Sequence, residues 1–462
     1  MNCYYFAILL IVCSLLSLPI LYFAYKRFRA VFRDHQLVLS YILEGNIPES
    51  SCGLKYYAQG GIIIDGLAYF TADPMLRQRG RVFRKSDHFP FIVVFDPFSF
   101  QKKRTYALQD TRDSSPLIFS KSDGKKLIIA HEYKECQTVA LSQSTGNIEW
   151  ISPRNQPGES FFGYSYYSRE NGNKILFMAA HNGLHALDGD TGKELWNIKR
   201  KCSGGVTPCV DQASGTVFYQ CDREMLKINV SDGTILKSIA VDWPYVCICG
   251  NTILVNDSYG YFIVTYWYGR PQWDSAVRVY DENLTKVWEK TSLPVGKKAT
   301  LSYAEGKIIS GSGNPWSRKY FGTEWKYLAA YSVQSGTVEW RCDLSEYGYQ
   351  SIMNVPYFNG YFYAETQEMK GYQSYLFRIN ASTGIIEDVL CYGRAISSCA
   401  PSIISYGNLY SGDVWNDEIV VTRIAQNSRA EWPGPFCDPQ LNHNALSIEK
   451  GAENVPMTEI KH

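Results

Sequence analysis

Two histidines stand four apart in H-N-G-L-H (His181 and His185), the spacing that on a helix gathers a zinc ion. The glutamate that acts as base in such motifs is absent, and the segment aligns with strand-turn-strand sequence elsewhere in the chain. On a strand, residues four apart share a face but stand too far apart for easy shared ligation. The pair therefore reads as turn-flanking histidines. S-G-S-G-N-P (310–315) reads as a strand end and turn rather than a phosphate loop. No C-x-x-C-H is present, which excludes an attached c-type haem. No Ser-His-Asp or Cys-His pair stands out among the 7 histidines.

The richer chemistry is aromatic. Y-G-Y-F-I-V-T-Y-W-Y-G-R-P-Q-W-D (259–274) and S-G-N-P-W-S-R-K-Y-F-G-T-E-W-K-Y (312–327) set Trp and Tyr beside Arg or Lys in stretches holding Gly and Pro. Both read as elongated hairpins on one rim of the fold. Aromatics with Arg dominate binding hot spots, and their flat apolar faces with polar edges also stack on sugar rings. Trp267, Arg270, Trp273, Trp316, Arg318 and Tyr320 are the candidate binding residues. The competing reading is that these aromatics only cover sheet edges.

What positions them is a repeat. S-T-G-N-I-E-W (144–150) returns as D-T-G-K-E-L-W (190–196) and Q-S-G-T-V-E-W (334–340), with weaker copies S-D-G-T-I-L-K (231–237) and S-T-G-I-I-E-D (382–388). A degenerate unit is V-Y-D-E-N-L-T-K-V-W (279–288). Recurrence every roughly 40–50 residues marks a radial or stacked architecture. Within one unit, 205–240 breaks into short runs rich in β-branched and aromatic residues, bounded by Gly, Asp, Asn or Ser, with no sustained 3.6 period. Four short antiparallel strands per unit match a propeller blade. An apolar marker precedes each turn: Phe95, Leu141, Leu187, Ile228, Tyr280, Tyr331, Ile379 and Ile424. The expectation is all-β, an eight-bladed propeller over 51–432 with seven blades as the alternative.

The run L-H-A-L-D-G-D-T-G-K-E-L-W (184–196) resembles the repeat of the pyrroloquinoline-quinone-like propellers, the quinoprotein-alcohol-dehydrogenase-like superfamily. The resemblance covers most of 51–432. It implies a tryptophan-docking girdle between blades, matched by Gly146 and Trp150, Gly192 and Trp196, Gly336 and Trp340, and by Trp288 at the Trp alone. Lys237 and Asp388 occupy the Trp position in two copies, so the girdle is expected to be incomplete there. The family holds both quinone enzymes and non-enzymatic scaffolds, and a fold does not choose between them. Its quinone enzymes typically carry an adjacent Cys-Cys disulfide over the quinone, and this chain has no such pair. The expectation is a non-catalytic platform without cofactor, binding a protein or glycan. The alternative is a dehydrogenase of alcohols or aldoses using pyrroloquinoline quinone (PQQ) and calcium.

Residues 3–25 carry no charge and are long enough to span a bilayer as a helix, with Tyr4, Tyr5, Tyr22 and Tyr25 near the ends. No basic residue precedes the run and no small-x-small site follows it, so 1–25 reads as an uncleaved anchor rather than a signal peptide. Lys26, Arg27, Arg29 and Arg33 follow directly, which by the positive-inside rule places the propeller in the cytoplasm. The family resemblance points to the other side. Residues 26–50 read as a helical connector and 433–462 as a mostly disordered tail. A net charge of +1 implies no affinity for nucleic acid. Of 13 cysteines, most, such as Cys209, Cys221 and Cys247, read as small buried hydrophobes, while Cys391 and Cys399 are close enough in sequence to bridge a loop under oxidising conditions.

Overall fold

The computed structural model describes residues 57–459 apart from 74, 79–80, 85–90, 100, 109–115, 133–136, 153–163, 181, 203–206, 242–245, 248–251, 271–274, 292–300, 311–326, 348–350, 353–354, 368–373, 393–401, 414–417 and 427–452. The described residues form eight antiparallel sheets in chain order. Blade 1 comprises Tyr57–Ile64, Leu67–Asp73, Phe91–Phe95 and Lys102–Ala107, and blade 2 Leu117–Ser120, Lys126–Glu132, Gln137–Ser142 and Ile148–Ile151. Blade 3 is Ser165–Ser168, Lys174–Ala180, Gly183–Asp188 and Glu194–Lys199, and blade 4 Cys209–Asp211, Thr216–Cys221, Glu224–Asn229 and Ile235–Ala240. In blade 5 the first strand comes in two pieces, Val246–Cys247 and Thr252–Asp257, followed by Gly260–Arg270, Ser275–Tyr280 and Lys286–Thr291. Blade 6 is Leu301–Ala304, Lys307–Ser310, Tyr327–Ser332 and Val338–Asp343. Blade 7 again splits its first strand (Ser351–Ile352 and Tyr357–Phe358) before Tyr361–Gln367, Tyr375–Asn380 and Ile386–Cys391. Blade 8 is Ile403–Ser405, Asn408–Asp413, Glu418–Gln426 and Glu453–Glu459. Met75–Gln78 and Arg81–Arg84 pair as a separate two-stranded hairpin.

The strand sequences explain this layering. Middle strands such as Thr216–Cys221 and Gln137–Ser142 are buried throughout, because a blade in a ring is covered on both faces. Fourth strands lie at the perimeter, and Ile235–Ala240 is exposed along most of its length. The apolar clusters straddle neighbouring blades. Ile62 and Tyr69 of blade 1 pack with Ile128 and Val139 of blade 2, and so on round to Phe95 and Ile63 packing with Tyr410 and Val420 of blade 8. The ring closes there: Tyr410 Oη donates to the Pro97 carbonyl at 3.0 Å. Eight blades are therefore present, and the seven-bladed alternative falls away.

The expected markers sit at one structural position in seven blades. From Phe95 to Ile379, each is the last ladder residue before the turn into the fourth strand, beside a register shift that admits one extra residue. In blade 8 the register puts Thr422, not Ile424, opposite the equivalent second-strand residue Leu409.

Each indole docks on the following blade rather than on its own turn. Trp150 packs on Gly192, Trp196 on Gly233, Trp288 on Gly336 and Trp340 on Gly384, where a Cβ would lie 2.3–2.8 Å from the ring. This is the girdle between blades that the resemblance implies, and it gives Gly233 and Gly384 an indole partner although their own copies lack the Trp. Those glycines also hold φ between 69° and 74°, a left-handed conformation that closes the turn.

In seven blades the carbonyl two residues past the marker accepts a hydrogen bond from the preceding blade. Trp150 Nε1 donates to Gly189 (3.1 Å), Trp196 to Val230 (3.0 Å), Trp288 to Val333 (2.7 Å) and Trp340 to Ala381 (2.9 Å). Where the indole is missing another donor takes over: Tyr106 Oη to Gln143, Lys227 Nζ to Glu282 (3.0 Å) and Tyr410 Oη to Pro97 (3.0 Å).

Two terminal expectations need comment. Residues 1–25 and 26–50 lie outside the described residues, and no helix among the described residues is long and apolar enough to cross a membrane. The reading of 433–462 as a tail is corrected for Glu453–Glu459, which pairs with the third strand of blade 8 and completes that sheet. Its sequence, E-N-V-P-M-T-E, hid the strand because Pro456 interrupts the ladder, whose register jumps between Arg423 and Ala425.

Candidate functional site

The ends of the blades differ. On one side, first strands turn into second strands and third into fourth, mostly through tight turns such as Asp65–Gly66 and 333–337. The second-to-third and fourth-to-first connections join the opposite strand ends, and several of these are long. Long connections held by a rigid scaffold are where binding function concentrates. The expected aromatic segments belong to this side. Trp267 and Arg270 fall in the second strand of blade 5, with Trp267 opposite Ala276 and Arg270 opposite Val246. Trp273 lies in the connection 271–274, outside the described residues. Trp316, Arg318 and Tyr320 lie in 311–326, also outside them. Both segments make the same connection, second strand to third, in the neighbouring blades 5 and 6.

Toward this end the second strands carry polar side chains at one shared register. The residue three past the marker's ladder partner is Thr71, His131, Gln220, Tyr266 or Glu365 in blades 1, 2, 4, 5 and 7, all buried. Each shares its face with the core residue that packs on the next blade. Burial pushes the His131 imidazole down to about 4, so it is held neutral. Glu365 accepts from Tyr392 Oη at 3.1 Å and Ser402 Oγ at 2.9 Å, and Ser411 Oγ donates on to Ser402 at 3.0 Å. Tyr392 Oη also meets Thr422 Oγ1 at 3.0 Å. Sequence reasoning missed this layer. Its members are chemically unlike one another, and hairpins of differing length hide the common spacing.

At the other end of the blades, tyrosines bridge successive inner hairpins. Tyr261 Oη donates to Asp211 Oδ2 at 2.9 Å, Tyr303 Oη to Asp257 Oδ2 at 2.6 Å, and Tyr357 Oη to Glu305 Oε1. Desolvation, followed by the carboxylate partner, raises all three phenols well above their ordinary value. They act as neutral donors.

His185 lies in the third strand of blade 3, with Nδ1 against Glu194 Oε2 at 2.6 Å and Nε2 against Asn182 Oδ1 at 3.0 Å. Both ring nitrogens are thus engaged within the blade, and His181 lies outside the described residues. Cys209 and Cys221 are buried, in keeping with a packing role, and desolvation pushes the Cys221 thiol up to about 12. Cys391 is exposed on the perimeter strand of blade 7, and Cys399 lies outside the described residues.

No three His, Cys, Asp or Glu side chains among the described residues converge to hold a metal. The two buried carboxylates, Asp211 and Glu365, belong to different seams, and both oxygens of Glu365 already accept from hydroxyls.

No family model and no curated protein matches this chain. Solved structures do. The quinohemoprotein alcohol dehydrogenase from Comamonas testosteroni superposes with a TM-score of 0.51 at 12% identity, over 83% of this chain and 74% of that one. The dihydro-heme d1 dehydrogenase NirN, solved in complex with DHE, gives 0.51 at 11% identity, over 72% of this chain and 66% of its own. BamB from Moraxella catarrhalis gives 0.48 at 14%, covering 73% of this chain and 91% of BamB. At such identities the likeness establishes the fold. The chain has the PQQ-like β-propeller repeat fold expected from its sequence.

Proposed function

We propose that this protein is a membrane-anchored, non-catalytic platform that binds a protein or glycan partner on the face built from the second-to-third and fourth-to-first connections. The observation that carries the reading is the engagement of its buried ionisable groups. Asp211 and Glu365 tie neighbouring blades together, while His185 and Arg278 pair with Glu194 and Glu289 on the adjacent strand. His131 is held neutral by burial. The interior polar chemistry serves the ring, which leaves recognition to the rim. There, the sequence supplies Trp267, Arg270, Trp273, Trp316, Arg318 and Tyr320. The uncharged run 3–25 supplies the anchor.

Alanine at Trp273 and Trp316 is expected to weaken capture of the partner from detergent extract, or of glycans on an array, while Tm stays nearly unchanged. Loss of stability with unchanged capture would make these aromatics packing residues. A stoichiometric absorbance change on adding PQQ and calcium, with dye reduction by an alcohol or aldose, would replace the platform by a dehydrogenase.

A further inference from the structure

Among the blades whose fourth strand lacks the docking indole are blade 4, with Lys237 at that position, and blade 7, with Asp388. The seams that follow these two carry the same polar constellation at their inner ends. Gln220 and Glu365 occupy one register position, three residues past Val217 and Phe362, the partners of Ile228 and Ile379. Facing them from the next blade are two hydroxyl residues. In blade 5 these are the ladder pair Thr252 and Thr265, and in blade 8 they are Ser402 and Ser411, one step beyond the pair Ile403 and Tyr410. Thr265 and Ser411 each stand two past the corresponding core residue, Ile263 and Leu409.

The two constellations are satisfied differently. Between blades 7 and 8 the bonds are direct, from Ser411 to Ser402 and from Ser402 to Glu365. Between blades 4 and 5, Gln220 Nε2 donates across the seam to the Tyr266 carbonyl at 3.2 Å, an acceptor that fixes which end of the amide is nitrogen. Gln220 Oε1 then has no partner among the described residues, and neither has Thr252 Oγ1 or Thr207 Oγ1. These side chains are 0–2% exposed. Thr207 stands two residues before Cys209, and Gln220 two residues after Phe218, the ladder partner of Cys209. Thr252 shares the face of Leu254, which packs toward blade 4. The three orphan atoms therefore belong to one buried seam, reached from both sides.

An unsatisfied buried polar atom costs about 1–3 kcal/mol, and a buried water needs two to four polar partners. We propose that the inner end of the seam between blades 4 and 5 is a built site for an internal water molecule, held by Gln220 Oε1, Thr252 Oγ1 and Thr207 Oγ1. The carboxamide accepts one water proton. One threonine hydroxyl accepts the other, and the second threonine donates to the water oxygen. The water does between blades 4 and 5 what the Ser402 hydroxyl does between blades 7 and 8.

A crystal structure at a resolution that orders internal water tests this, together with a count of long-lived waters by magnetic relaxation dispersion. The expected result is a water within hydrogen-bond distance of at least two of the three atoms, lost in Thr207→Val/Gln220→Leu/Thr252→Val. Gln220→Leu alone is expected to lower Tm by more than the triple variant does, because it strands the threonines. Should the triple variant not fold, Thr252→Val alone, with the water displaced or disordered in its crystal structure, serves the same purpose. Direct contact of Gln220 Oε1 with either threonine, or an unchanged water count in the variant, overturns the proposal.

Discussion

The seam between blades 3 and 4 and the seam between blades 4 and 5 are filled from opposite sides. In the first, Trp196 of blade 3 reaches forward onto Gly233, whose absent Cβ would lie 2.7 Å from the indole Cδ2. In the second, blade 4 offers Lys237 at the Trp position, and the turn of blade 5 is a residue shorter, closing from Leu284 N to Asp281 O at 3.0 Å. Leu284 itself adopts φ 56° and is 2% exposed, in the same buried cluster as Val217, Phe218 and Ile228 of blade 4. The missing indole is thus replaced by a side chain sent back from the turn. Turn and wedge form one unit shared between neighbours. A Gly turn belongs with an aromatic residue behind it, and a Leu turn with none.

This contrast can be broken in graded steps. Trp196→Ala empties the forward-filled seam and is expected to cost about 3–5 kcal/mol, measured by denaturant unfolding. Leu284→Ala empties the backward-filled one at about 2–4 kcal/mol. Equal and negligible losses at both sites would show that neither side chain fills a seam. At the inner ends, His131 titrates near 4 when folded against 6.5 as its ordinary value, so the unfolded chain takes up the proton first as pH falls. Its contribution to stability is complete above about pH 6.5 and is lost progressively down to pH 4, on the order of 3 kcal/mol. His131→Phe should flatten the stability profile in that window, and an unchanged slope would remove the buried neutral imidazole from the account. The smallest effect is expected of Lys227→Met, at under about 1 kcal/mol, since an amine reaching the Glu282 carbonyl on the surface contributes little.

Much of this was legible beforehand, for a reason visible in particular residues. Seven markers from Phe95 to Ile379 are apolar because each ends a buried ladder, so they recur with the fold. Blade 8 was misplaced by two residues, since Thr422, its structural equivalent, is not apolar. The indoles and the turn glycines were both legible in the repeat, but not which glycine each indole meets: the ring brings Trp196 to Gly233 of the next blade. Contacts between repeats leave no local signature. The same holds for Gln220 with the Tyr266 carbonyl and Glu365 with Ser402, pairs that meet only once strands of consecutive blades are aligned. The fourth strand of blade 8 escaped notice because it is supplied by Glu453–Glu459, beyond a polar stretch and broken by Pro456.

A pair of double-mutant cycles tests the shared-seam arrangement most directly, one joining Trp196→Leu with Gly233→Ala and the other Trp196→Leu with Gly192→Ala. The first is expected to show coupling of about 1–3 kcal/mol, because shortening the indole makes room for the new methyl, and the second to be additive within about 0.5 kcal/mol. Coupling confined to Gly192, inside the same blade, would contradict the ring as described.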